Sequence, residues 1–399
     1  MEVGGRLTAD VAIVGAGPAG STLAALLAGR GISTILVDRD EFPRDKLCGE
    51  FLSYDALPLL DALGVTASLD GSGCPTISHG RIVGRRGSWE FRLPRPARGV
   101  SRLLLDDLLL RRAELSGAIV RCGWTAVQLS PAAATESPST IVIERDGIRL
   151  PIDARVIVGA WGRWGRFDIQ LRRSFVTDRT HRHFGFKRHY RAKHATETDA
   201  FIDLYSYADG YLGVSPIEGD EINICGLVRA SRLSGHQGGW PRFVEEIAGE
   251  EERLADLFDA YIPAKGDFVA SEPVIFRGKE PVADGIVLIG DASGIVDPLA
   301  GNGMAMAMQS ALIAAPVVAE IVSSPKSRRH HERAYAAAHR DLFSARIRWS
   351  RASGWILSRP ALLELALRVA PSQSTGRFLA SRTRGSYEAV SRLTERWFQ

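Results

Sequence analysis

The feature that most constrains this chain is the run Asp10-Val-Ala-Ile-Val-Gly15-Ala-Gly17-Pro-Ala-Gly20 near its start. An apolar strand enters three glycines at the spacing GxGxxG, and a small-residue helix then runs to Gly31. A second strand, Ile32-Ser-Thr-Ile-Leu-Val37, ends on Asp38. In this order Gly15 makes the sharp turn, Gly17 lets the backbone approach a pyrophosphate, and Gly20 lets helix and strand pack closely. The helix N-terminus then faces the phosphates, and Asp38 stands where a carboxylate accepts ribose hydroxyls. The chain therefore opens as a Rossmann-type unit suited to a dinucleotide.

At 399 residues the chain suits two interleaved domains. Its 45% hydrophobic and 24% charged residues point to a globular rather than a disordered protein. The four cysteines, Cys48, Cys74, Cys122 and Cys225, are far apart and form no CxxC pair, which argues against a disulfide framework or a zinc site. His181 and His183 would share one face of a strand, but no acidic or cysteine cluster joins them, so no metal is expected. The first apolar run is already the Rossmann strand, so no signal peptide is expected and the chain reads as cytoplasmic. Met304 to Val322 is about membrane-spanning in length, yet it carries Gln309, Ser310, Pro316 and Glu320 and reads as a buried helix.

Charge is unevenly placed. From Lys326 onward there are 15 Lys and Arg against 5 Asp and Glu, a net +10, leaving −6 for the rest of the +4 chain. No nucleic-acid module is readable, so nucleic acid is not expected. A peripheral contact between these basic C-terminal helices and a membrane, or a solvated helix face, accounts for the excess.

Ser101 is placed to cap an apolar helix from Arg102 to Leu115 that Gly117 stops, and strands are expected over 119–127, 140–144 and 154–158. A helix is expected near Tyr54 to Leu63, and Ala132 to Ser139 reads as a polar loop. Alternating segments such as His183–Lys187, Ala200–Tyr205, Gly210–Val214 and Glu221–Val228 predict an antiparallel sheet that walls a pocket. The Rossmann pattern resumes at Gly285-Ile-Val-Leu-Ile-Gly290-Asp291. Gly301-Asn302-Gly303-Met304 then opens an apolar helix whose free amides and dipole point back to the strand tip.

These pieces together resemble the FAD-dependent oxidoreductases of the para-hydroxybenzoate hydroxylase fold, and within them the geranylgeranyl-reductase-like branch. The matching elements are Gly15-x-Gly17-x-x-Gly20 with Asp38, Phe42-Pro-Arg44-Asp-Lys46-Leu-Cys48-Gly49, Ser101-Arg102 with Asp106, and Gly290-Asp291 through Gly303. They span most of the first 320 residues. The resemblance implies an α/β protein (α+β overall): a Rossmann-like FAD-binding domain (1–74, 99–166, 270–322), an inserted antiparallel-sheet substrate domain (75–98, 167–269) and C-terminal helices (323–399). It implies that Gly15, Gly17, Gly20 and Asp38 hold the ADP half of FAD, that Ala19, Arg39, Arg44 and Cys48 also bind the cofactor, and that Arg102 lies against the adenylate or pyrophosphate. Asp291 would bind a ribityl hydroxyl, and Pro298, Gly301, Gly303 and Met304 would flank the isoalloxazine. Asp291 as a helix cap and Arg102 as a surface residue are the structural alternatives.

Cys48 has two readings: a pocket residue near the flavin, with a thiol pKa lowered by Arg44 and Lys46, or a small buried hydrophobe. Tyr205, Tyr207 and Tyr211 either donate a proton in the pocket or pack the core. Where many hydroxylases of this fold carry Asp-Gly, this chain has Val158-Gly-Ala-Trp161-Gly-Arg163. That departure leaves the electron donor open between NAD(P)H and a reduced carrier protein. The Trp-x-Trp-x-Ile-Pro motif of flavin halogenases is not found, which disfavours halogenation. The sequence ranks oxygen-dependent hydroxylation of an apolar, aromatic or polyketide-like molecule first, reduction of isoprenoid double bonds second, and a non-enzymatic prenyl or lipid carrier third.

Overall fold

The computed structural model describes residues 2–3, 5–132, 137–178, 182–194, 201–234, 236–271, 273–369 and 372–399. His181 and residues 133–136 of the expected polar loop lie outside them.

The chain begins with β1 (Arg6–Val14), α1 (Pro18–Ala28) and β2 (Thr34–Val37). Two long strands follow, β3 (Thr76–Val83) and β4 (Ser88–Gly99), then α2 (Arg102–Leu115). Next come β5 (Ile119–Arg121), β6 (Thr125–Ser130), β7 (Ser139–Arg145) and β8 (Ile148–Gly159). A meander of β9 (His183–Ala192), β10 (Phe201–Tyr207), β11 (Gly210–Ile217) and β12 (Glu221–Arg229) leads to α3 (Gly239–Glu250) and α4 (Glu252–Ala260). The chain then returns through β13 (Ile286–Leu288) to α5 (Gly303–Ser323). It ends in α6 (Arg328–Leu357), α7 (Pro360–Val369), α8 (Gln373–Thr383) and α9 (Tyr387–Phe398).

Strands β13, β8, β1, β2 and β5 lie side by side in parallel. Val11 to Val14 of β1 and all of β2 are buried, as a parallel sheet covered on both faces requires. α1 and α5 pack together on one face, and their Ala-, Gly- and Leu-rich surfaces explain how closely they approach. α5 is long and apolar enough to cross a bilayer by length and composition, but two thirds of its apolar window is buried within the fold, as expected for a core helix. The strand expected over 119–127 is two strands, because Gly123 at φ +74° turns the chain from β5 into β6. The helix expected near Tyr54 to Leu63 starts as a 3₁₀ turn, Tyr54–Ala56, before Leu57–Ala62.

The second sheet runs in the order Tyr261–Pro263, β9, β12, β11, β10, β3, β4, Phe51–Leu52. It departs from the fully antiparallel expectation at one place: β10 pairs β3 in parallel, Phe201 beside His79. These two strands come from distant insertions, so no hairpin dictates their relative direction. Register decides what the sheet shows to the first domain. Lys187 lies opposite Cys225, which lies opposite Gly213; His189 and Asn223 form the next row, and Gly185, Leu227 and Tyr211 the row on the other side. Paired residues share a face, so these residues form one surface. The other face carries Phe186, Leu212 and Ile224, sealed by Phe243 and Ile247 of α3 and Leu254 and Leu257 of α4.

Candidate functional site

The glycine turn is shaped by close approach. Gly15 adopts φ +108°, and a Cβ there would meet the Ala160 carbonyl; a Cβ on Gly20 would land on the Gly15 carbonyl oxygen. Gly17 precedes α1 and differs, since a Cβ there would meet only the guanidinium ends of Arg102 (3.8 Å) and Arg44 (4.0 Å). Two cations therefore stand over the point where the first helix turn offers its amides, a donor set matched to a pyrophosphate. Asp38 accepts the Ala16 amide at 2.6 Å and the Asp40 amide at 2.9 Å, which holds its carboxylate at the end of β2. Arg39 is not drawn in: its side chain is 70% exposed and pairs with Asp40 at 3.6 Å.

Both arginines over the turn depend on Asp106, a fully buried carboxylate one turn into α2. It accepts from Arg102 Nε and Nη2 at 2.7 and 2.6 Å and from Arg44 Nη1 at 2.8 Å. Burial would lower the Arg102 pKa, but Asp106 outweighs it and the net shift is upward. Arg102 is thus held inward against the turn rather than lying on the surface. Ser101 caps α2 by accepting the Leu104 amide at 3.1 Å, as its position implied.

The later strand tip meets the first turn directly. A Cβ on Gly290 would touch the Ala19 Cβ at 3.0 Å, so the Gly290-Asp291 corner packs on the start of α1. Asp291 keeps its carboxylate partly exposed, with Arg163 Nε at 3.4 Å. Arg163 also donates to the Leu47 carbonyl at 3.1 Å and so ties the loop before Cys48 to the Asp291 tip. Beneath them Lys279 donates to the Arg163 and Asp291 carbonyls at 2.8 and 2.9 Å, its pKa pushed down to about 8 by burial.

α5 begins without a side-chain cap: Asn302 donates Nδ2 to Asp55 at 2.9 Å, and its Oδ1 accepts no first-turn amide. Asp55 also accepts from Gln309 and from the Gly385 amide, which pins the start of α5 to the C-terminal segment. The first-turn amides of α5 are left to face the exposed Pro298 and the Gly301 turn, where φ is +57° and a Cβ would press on the Phe51 ring at 2.6 Å. Met304 is buried beneath. Two helix N-termini, a pair of guanidiniums and two carboxylates thus converge from both ends of one cleft. The residues present fit FAD: Gly17, Arg44 and Arg102 would take its diphosphate, Asp38 and Asp291 its two sugar-like portions, and the start of α5 its ring edge.

The expected proton donors are placed differently from one another. Tyr211 donates its hydroxyl to Asp297 and accepts the Leu299 amide at 2.9 Å, so it shapes the Pro298 turn. Tyr207 is buried and donates to the Leu227 carbonyl at 2.8 Å. Burial pushes Asp297 up to about 6, against the downward pull of Tyr211 and the Leu299 amide. Between about pH 4 and 6 the native chain therefore holds more protons at this group than the unfolded chain, and its contribution to stability falls as pH rises through that window. Asp297→Asn is expected to gain about 3 kcal/mol relative to the parent between pH 4 and 7, about two pKa units at 1.36 kcal/mol each. Urea unfolding of both proteins across that range checks this, and a constant difference would contradict it.

Cys48 is half-buried, and its thiol is pushed up by burial, not down. The cations expected to lower it are engaged elsewhere: Arg44 with Asp106, and Lys46 with Asp40 at 2.8 Å. Its sulfur accepts the Glu50 amide at 3.4 Å, and its carbonyl accepts Asn223 Nδ2 at 2.9 Å, which fixes it against the second sheet. Cys225 lies on that face, raised to about 12 by burial and by Cys48. The motif reading missed this thiol, along with Glu50 and Lys187. Glu50 is fully buried at φ +54°; it accepts the Arg102 amide at 2.9 Å, Lys187 Nζ at 2.5 Å, and faces His189 Nε2 at 2.7 Å. Burial opposes protonation of Lys187, but Glu50 and Asp45 outweigh it and keep it charged. Glu50 is a sequence neighbour, but only the strand register, invisible in the sequence, brings Lys187 and Cys225 to Cys48. The tryptophans of the Trp161/Trp164 pair are committed to packing: Trp161 donates to Asp168 at 3.2 Å and Trp164 to the Pro273 carbonyl at 2.8 Å. His183 packs at a tilt against Phe276, ring centroids 5.4 Å apart.

Comparison with known proteins agrees with this geometry. The family described as "FAD binding domain" matches residues 8–345. A tryptophan 2-halogenase of Chondromyces crocatus is 28% identical over 332 residues, covering 78% of this chain and 61% of the relative, so the chain spans less than two thirds of that protein's length. A digeranylgeranylglycerophospholipid reductase of Methanothrix thermoacetophila is 28% identical over 331 residues, covering 79% and 78%. Among solved structures, the myxobacterial chondrochloren halogenase superposes with a TM-score of 0.77 at 18% identity, covering 98% of this chain and 97% of that one, which shows a shared fold. A family match across 338 residues, joined to a cleft whose donors suit each part of the dinucleotide, leads to one conclusion: the chain belongs to the FAD binding domain family of FAD-dependent oxidoreductases.

Proposed function

We propose that the protein is an FAD-dependent reductase of carbon–carbon double bonds in an apolar, isoprenoid-type lipid. The observation that carries this reading is the meeting of two thiols where the loop before Glu50 packs on the second sheet: Asn223 of β12 donates to the Cys48 carbonyl at 2.9 Å, Cys225 lies two residues along the same strand on the same face, and burial keeps both thiols protonated. When bound, FAD supplies the hydride. The chain must then supply one proton to the neighbouring carbon, and a thiol whose pKa lies above neutrality carries that proton at working pH. Cys48 Sγ–H is the donor in this reading, the charged Lys187 beside Glu50 stabilises the thiolate that remains, and the thiolate regains its proton from water. Arg102 and Arg44 hold the cofactor diphosphate, and Leu227 and Leu204, in neighbouring rows of the same sheet face, keep water from the reacting bond.

Sequence alone ranks hydroxylation first; the thiols reverse that order. Oxygen activation would set an electrophilic oxygen donor beside two cysteines and drive them along the oxidation ladder. Halogenation is disfavoured by the missing tryptophan motif and by the packing roles of Trp161 and Trp164. The reductase relative supports the substrate class. The family's enzymes argue against a carrier without catalysis. NAD(P)H or an electron-carrier protein would recharge the cofactor, and the four free cysteines suit a reducing cytoplasm.

Cys48→Ala is expected to bind FAD as the parent does while losing about 10²- to 10⁴-fold in the rate of saturated product formation from a geranylgeranyl lipid, measured anaerobically with chemically reduced enzyme. Substrate-dependent incorporation of ¹⁸O from labelled oxygen into a phenolic compound, with no reduction of the lipid, would overturn the reading in favour of hydroxylation.

A further inference from the structure

The buried pair Tyr211 and Asp297 is covered by the last turns of α6. Gly354 lies against the Asp297 carboxylate, and Leu357 is buried with Tyr211, Leu227 and Ile295. The Asp209 amide donates to the Ser358 carbonyl at 3.1 Å, which fixes this helix end to the second sheet. The opposite side of the same turns faces outward. Trp355 is 52% exposed, Trp349 and Ile356 are each 37% exposed, and Phe378 from α8 is 45% exposed. Trp349 and Phe378 meet edge to face at 5.6 Å, so the two helices present one joint surface. Clustered exposed aromatics of this kind mark an interaction surface, unlike apolar residues scattered singly.

The charges around the patch are of one sign. Arg348 and Arg351 of α6 and Arg377 and Arg382 of α8 are exposed, Arg382 lies over the Phe378 ring at 5.2 Å, and Arg359 over Trp355 at 4.1 Å. Residues 342–387 carry eight arginines and a single acid, Glu364. That acid accepts the Arg86 amide at 3.1 Å. Aromatic rings suit the boundary between lipid headgroups and acyl chains, and guanidiniums suit lipid phosphates. We propose that this face of α6 and α8 docks the protein on an anionic bilayer, with Trp349, Trp355, Ile356 and Phe378 at headgroup depth and Arg348, Arg351, Arg377 and Arg382 on the phosphates. The buried side of the same helix end packs on Tyr211, Leu227 and Ile295, so docking sets this edge of the second sheet beside the lipid phase. The docking does not depend on which reaction the cleft performs, and vesicle binding is read without turnover.

The test is co-sedimentation of the full chain with phosphatidylglycerol–phosphatidylcholine vesicles and with pure phosphatidylcholine vesicles, at low and high salt. Binding is expected on the anionic vesicles and is expected to weaken as salt rises. The variant R348Q/R377Q/R382Q is expected to lose about a hundredfold in affinity, each arginine near an anionic surface being worth about fivefold. W355S/F378S is expected to lose binding while keeping the parent's thermal unfolding and FAD content. Absence of binding by the parent chain overturns the proposal. So does equal binding to neutral and anionic vesicles, or dimers that these substitutions dissolve while vesicle binding persists.

Discussion

Asp106→Asn is expected to destabilise the protein by about 3–5 kcal/mol, the cost of removing one partner from a buried ion pair. Asp106 is fully buried, and both Arg102 and Arg44 direct charged donors at it. An amide of the same shape retains an acceptor but not the charge, and its NH₂ group would point a donor at guanidiniums that have none to accept. Against a total stability of about 5–15 kcal/mol, such a loss moves the urea midpoint far. The same substitution is expected to weaken FAD binding at least tenfold, because the two guanidiniums over Gly17 lose the anchor that aims them. Urea unfolding and flavin-fluorescence titration measure the two effects. A stability change below about 1 kcal/mol would place the arginines' support elsewhere, since that is the scale of an exposed pair.

Gly20→Ala and Gly17→Ala are expected to part company, although both alter the same motif. At position 20 the added methyl meets the Gly15 carbonyl oxygen, with the Ala160 Cβ at 3.2 Å behind it. Backbone cannot swing aside as a side chain can, so α1 must move off the sheet, at a cost of about 3 kcal/mol. At position 17 no atom lies within 3.4 Å of the added methyl, and the backbone is in the extended region open to any residue. The Gly17→Ala apoprotein should keep its stability to within about 1 kcal/mol, a small change for a site without a clash. Its FAD affinity should fall, because the methyl enters the gap between the turn and Arg102. Chemical denaturation of the two apoproteins, followed by FAD titration of Gly17→Ala, separates structural from ligand-facing glycine. Equal destabilisation in both would remove Gly17 from the binding site.

The local patterns carried much of the fold. Gly15, Gly17, Gly20 and Asp38 are close in sequence, and each constraint on them is a short-range one: a turn, a clash, a strand end. Ser101 as a cap and α5 as a buried helix were legible for the same reason. The direction of the Arg39 side chain was not legible in its neighbourhood, because a residue just past a strand can point to solvent as easily as inward. Cys48 was misjudged in its electrostatics, because the sequence shows that Arg44 and Lys46 are near but not that Asp106 and Asp40 have already claimed them.

By itself the sequence determined that the chain begins with a dinucleotide turn, closes it with a second strand-to-helix corner at Asp291, and holds a separate strand-rich region between them. Tertiary structure alone decided that Gly290 rests on Ala19, that Asp106 serves two arginines from different segments, and that β9 and β12 bring Lys187, Cys225 and Asn223 to Cys48. The physical reason is range. Turns and caps are set by bonds spanning a few residues, whereas the protonation of a thiol and the aim of a guanidinium depend on burial and on charges brought in by the fold, such as Asp106 to Arg44 across 62 residues and Lys187 to Glu50 across 137.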